Sequence, residues 1–94
     1  MAEIEIGSET EEGTRWHYPV TVYEGGRAYR YEVTLGFADY DLWSRGRAAP
    51  SKVVRAAFEF LLEREGADEI MGKFDCSVIR RYFPEVDEAL PKRV

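Results

Sequence analysis

The residues best suited to chemistry lie in one stretch, WSRGRAAPSKVVR, positions 43 to 55, which holds Arg45, Arg47, Lys52 and Arg55 and no acid. Pro50 suits the first turn of a helix, so these bases surround a helix start, whose unpaired N–H groups and aligned peptide dipoles are themselves positive. Positive charge added to a positive helix end suits an anion, whether a phosphate, a nucleic-acid backbone or an acidic protein segment. With Trp43, a residue type favoured at interfaces, the four bases make the first candidate site for an anion or a partner. The plainer reading pairs Arg45 and Arg47 internally with Asp39, Asp41 or the acidic N-terminal segment. A second candidate is a loose helix-turn-helix over residues 67–73 and 76–83, which would offer Ser77, Arg80 and Arg81 to a nucleic-acid groove. Residues 66–94 carry six acids against five bases, so the phosphate attraction that drives such binding is weak there.

Other chemistry is sparse. His17 is the only histidine and Cys76 the only cysteine, and the strand pattern given below puts His17 on a polar face away from Cys76. No triad or Cys–His pair is expected. Asp39 and Asp41 stand two apart in DYD without a calcium-loop or HExxH pattern around them. Capping a turn or pairing with arginine accounts for them better than a metal does, and a hydrolase built on Asp39, Asp41 and His17 ranks third among the functional readings. The glycine patterns that cradle nucleotide phosphates are missing, and EGGR, residues 24–27, is a hairpin turn. The expectation is therefore no catalytic constellation, no metal and no cofactor.

The elements that must position these residues are more legible. Trp16, Tyr18, Val20 and Val22 are apolar at even positions, and Tyr29, Tyr31, Val33, Leu35 and Phe37 at odd ones. Both runs have the period of a half-buried strand. A two-residue primed turn at Gly25-Gly26 pairs residues whose numbers add to 51, so each apolar residue faces another and Glu24 meets Arg27. Pro19 falls on the polar face and implies an edge there. A two-stranded ribbon needs a cover, and PSKVVRAAFEFLLEREG supplies it as a long central helix over residues 51–65, with Ser51 as cap and Gly66 as stop. Short helices follow, Asp75 capping one and Phe74 stapling onto Ile79. The expected architecture is α+β: an antiparallel hairpin packed on a long central helix, with short C-terminal helices and a third strand from residues 3–7 or 39–44. Under that helix the tyrosines of the hairpin belong to the core, rather than to an exposed platform for stacking bases. Tyr23, Tyr40 and Trp43 have no place in this core.

Composition sets the bounds. Ninety-four residues, 45% hydrophobic and 33% charged, suit one soluble globular domain. The net charge of −5 is localised: residues 1–13 hold five glutamates and no base, and removing them from the 18 acids leaves 13 against 13 bases. Residues 1–13 read as an acidic, partly disordered tail that aids solubility or screens a basic patch, and residues 14–94 as the domain. No leader-like segment or membrane-length apolar run is present, and a single cysteine fits a reducing cytoplasmic setting.

At YDLWSRGRAAPSKVVRAAFEFLLERE and FDCSVIRRYFPEV the chain resembles small uncharacterised bacterial proteins of similar length, a resemblance that covers roughly residues 16–90 and brings no function. The order hairpin then helix is also similar to that of antitoxins with a HicB-like partial RNase-H fold. That similarity of topology implies a regulatory binding role and assigns no site residue. The leading expectation is a small non-enzymatic binding or regulatory module acting through protein contacts centred on Trp43 to Arg55, with homodimerisation through an exposed hairpin edge as one form of it. A nucleic-acid-binding regulator is the alternative.

Overall fold

Gly25 and Gly26 set the frame of the sheet. In the computed structural model of the chain, which describes residues 2–94, both have positive φ, 60° and 79°, as a type I′ turn requires. The turn joins β3 (Arg15–Glu24) to β4 (Arg27–Gly36), and all ten paired positions add to 51, from Glu24 with Arg27 to Arg15 with Gly36. Val20, Val22, Val33 and Leu35 are wholly buried on the inner face. Tyr18 and Tyr31 are also buried, so these two rings are core and not open to stacking on bases.

The acidic segment expected as a tail is part of the sheet. Glu3–Ile6 forms β1 and Thr10–Glu12 forms β2, both antiparallel to β3. Ile4 and Ile6 pair with Val22 and Val20 on the inner face, and Glu3 and Glu5, which alternate with them, are exposed. The register sum changes from 26 to 27 between β1 and β2, which makes a bulge opposite Tyr18 and Pro19. β3 is thus internal, and Pro19 marks an interrupted ladder rather than an edge. At the bulge the Gly7 N–H donates to the Pro19 carbonyl at 2.7 Å. A Cβ on Gly7 would lie 2.6 Å from Pro19 Cγ, so only glycine permits this approach.

The third-strand candidate at 39–44 is instead helical. α1 spans Phe37–Ser44 and ends where Arg45 takes a left-handed conformation, φ 51°, with its N–H on the Asp41 carbonyl. α2 spans Pro50–Leu62. It begins on uncapped Ala49, so Ser51 lies inside it, and it stops at Glu63 before reaching Gly66. At 13 residues, roughly 20 Å of helix, it is of ordinary length rather than long. Phe58 packs on Tyr31 from the sheet and on Phe74, while Phe60 meets Phe83; α2 is covered on two sides, as its wide apolar surface demands.

Residues 67–83 do not form a helix-turn-helix. They run as a 3₁₀ turn at Ala67–Glu69, a strand β5 (Lys73–Asp75), a second 3₁₀ turn at Cys76–Val78 and a single helical turn α3 (Ile79–Tyr82). β5 pairs parallel to β4, Val33 opposite Phe74, with α1 and α2 making the crossover that parallel pairing needs. α4 (Val86–Ala89) and a last 3₁₀ turn close the chain. The result is α+β with a five-stranded mixed sheet and one core. Its Cα radius of gyration is 12.3 Å, close to the roughly 12 Å of a compact chain of this length.

Candidate functional site

The residues singled out in the sequence are placed very differently from one another. Trp43 is wholly buried, and its Nε1–H donates to Asp87 Oδ1 at 2.8 Å. Arg47 donates to the carbonyls of Ser44 and Pro91, both at 3.3 Å, and Arg55 Nη1 donates to the Ile4 carbonyl at 2.8 Å. Arg45 and Lys52 are exposed. Among the described residues neither Arg45 nor Arg47 pairs with Asp39 or Asp41. The segment 43–55 is therefore divided between core and surface, and Trp43 presents nothing to a partner. Lys52 and Arg55 share a cleft of about 420 Å³ with Glu9 and Tyr18, so the acidic segment lies against the basic start of α2. There the Tyr18 hydroxyl donates to Glu9. Burial first, and the Glu9 carboxylate second, hold the Tyr18 phenol well above its ordinary range.

Arg80 is taken up internally. Its Nη2 donates to Asp39 at 2.7 Å and to Asp87 at 3.0 Å, its Nε donates to Asp87 at 3.1 Å, and its guanidinium lies 5.5 Å from the centre of the Trp43 ring. The two acceptors hold Arg80 charged, and Arg80 in turn pulls the Asp87 carboxyl below its ordinary range. This clamp joins α1, α3 and α4 over the indole. Ser77 supplies its backbone N–H to Asp75 at 3.1 Å, and Arg81 remains exposed. The expected groove-reading set thus loses its central member.

The remaining reactive groups are not brought together. His17 pairs with Thr34 across the strands, and its Nε2 is 2.5 Å from Glu32 Oε1. Cys76 is wholly buried, and burial pushes its thiol up beyond the reach of ordinary pH. Among the described residues no group of three or more His, Cys, Asp or Glu side chains could hold a metal ion.

A site that sequence reading missed lies at the other end of α2. A cleft of about 260 Å³ opens between the last turn of that helix, the loop before β5 and α3. Its floor is Leu61, Phe74 and Ile79, all buried. At its mouth Met71 is 44% and Tyr82 66% exposed, two of the four large apolar side chains so exposed among the described residues. Glu65 and Glu69 complete one wall, and no lysine or arginine lines the cleft. Burial, and then the neighbouring Glu69, raise the Glu65 carboxyl above its ordinary value, the signature of a carboxylate losing water without gaining a cation. Glu69 accepts the Gly66 N–H at 2.7 Å, which fixes the turn that carries both acids. The sequence signals were present but scattered: Tyr82 was expected to help cover the central helix and is instead 66% exposed, Met71 had no assigned place, and only the turn of β5 back onto β4 brings them to one opening.

No family model, curated protein or solved structure matches this chain.

Proposed function

We propose that the protein is a small non-enzymatic binding or regulatory module acting through protein contacts, and that the cleft between α2 and α3 is the contact site. The observation that carries this reading is the apolar opening itself, floored by buried Leu61, Phe74 and Ile79 and lipped by exposed Met71 and Tyr82. Its volume of about 260 Å³ lies just below the ~300–1,000 Å³ typical of small-molecule and cofactor sites, and suits one or two side chains of a docking segment. Methionine at the lip favours this use, because a flexible, polarisable side chain adapts to a partner's surface. The protein-contact expectation is kept, while its centre moves from Trp43 and its neighbouring bases to the opposite end of α2.

Selection of a random peptide library on the immobilised protein tests the proposal. Recovered peptides should lose binding to Met71→Glu, a substitution at an exposed position that leaves the core intact. Recovery of no peptide, or of peptides indifferent to Met71→Glu, contradicts it.

A further inference from the structure

The walls of the cleft are as informative as its floor. Two of the lining residues are acids and none is a base, and among the described residues neither Glu65 nor Glu69 has an ion-pair partner. The base nearest in sequence, Arg64, is committed elsewhere: its guanidinium lies 3.6 Å from the Phe60 ring centre and it pairs with Glu63 and Glu85. α2 also brings the negative end of its dipole to this side with no basic residue in its last turn. An occupant that covers Glu65 removes more water from a carboxylate already desolvated, which is costly unless the occupant brings a positive charge.

Resting on the docking role proposed for this cleft, we infer that its occupant is a peptide segment of a partner protein in which an apolar side chain fills the floor and an adjacent lysine or arginine meets Glu65 and Glu69. The apolar anchor supplies most of the affinity, and the acids select among apolar segments by sign of charge. Acidic and neutral segments with the same anchor are disfavoured because they leave Glu65 buried and unpaired.

Three capped pentapeptides test this: Ac-Ser-Leu-Lys-Leu-Ser-NH2 and the same sequence with glutamine or glutamate in place of lysine, titrated against the labelled protein at low salt. The lysine peptide should bind about fivefold tighter than the glutamine peptide, the size of one solvent-screened ion pair, and the glutamate peptide should be weakest. Glu65→Gln should bring the lysine and glutamine peptides level, and added salt should narrow their difference. Equal binding of all three peptides at the cleft overturns the charge assignment and leaves the docking role standing. Absence of any response at Ile70, Met71, Phe74 and Ile79 removes the docking role itself. A concentration-dependent dimer of the free chain that protects those same positions overturns the inference in favour of a second copy as occupant.

Discussion

Replacing Arg80 by methionine separates two roles for the base that ties α1, α3 and α4 together. The side chain makes one hydrogen bond to Asp39, at 2.7 Å, and two to Asp87, at 3.0 and 3.1 Å. Asp39 is only 15% exposed, so water screens that bond poorly, whereas Asp87 is 39% exposed and its share must be discounted. A charged hydrogen bond in a partly buried setting is worth about 1.5–3 kcal/mol and an exposed one well under 1, which puts the loss at about 2 kcal/mol. In a domain of this size that lowers Tm by about 10 °C. The effect depends on pH with a definite sign. Arg80 holds the Asp87 carboxyl below its ordinary value of 3.8, so this stabilisation is complete above that value and lost as pH falls through the depressed one. Urea unfolding of the native and Arg80→Met proteins should therefore differ by about 2 kcal/mol at neutral pH and by less at pH values below the ordinary Asp range, where the Asp87 share is lost. Equal midpoints at neutral pH, or a native protein whose binding of a DNA duplex is abolished by the substitution without loss of stability, would refute the internal-clamp reasoning.

Gly7→Ala places a Cβ 2.6 Å from Pro19 Cγ and 2.9 Å from its carbonyl oxygen; a loss of about 1–3 kcal/mol should appear as faster amide exchange through β1 with β3 and β4 still protected. Phe58→Ala empties a wholly buried site between Tyr31 and Phe74, and its cost of about 3–5 kcal/mol, set against the ~5–15 kcal/mol stability of a whole domain, should bring unfolding into low urea. Arg45→Gly relieves the left-handed conformation at φ 51° and should raise stability by about 0.5–1 kcal/mol, measured as a higher Tm; a decrease would show that the Arg45 side chain makes a stabilising contact.

The parts of the fold that were legible in the sequence are those fixed by near neighbours. The hairpin follows from a glycine pair that permits positive φ and from alternation on either side of it, so its register is decided within a few residues. α2 follows from Pro50 and a wide apolar face. α1 was missed because its apolar and polar residues are spread around the helix rather than gathered on one face; what holds it is Trp43, anchored by Asp87 more than forty positions away. β5 is three residues long, too short to show a period, and its parallel pairing with β4 exists only after α1 and α2 have carried the chain back. The acidic segment is a tail by its charge and a strand by the alternation of Ile4 and Ile6; the strand candidate at 3–7 is the one the structure forms, as β1 on β3. The cleft was hidden for the same reason as β5, since its walls come from segments whose meeting is a tertiary event.

The docking role of the α2–α3 cleft is tested most directly by mapping backbone amide shifts of the whole chain during titration with the lysine peptide. Shifts concentrated at Ile70, Met71, Phe74 and Ile79, with residues 43–55 unmoved, are the predicted result. Shifts confined to Arg45–Arg55 or to the outer face of the sheet would contradict it and return the binding surface to the basic segment or to the strands.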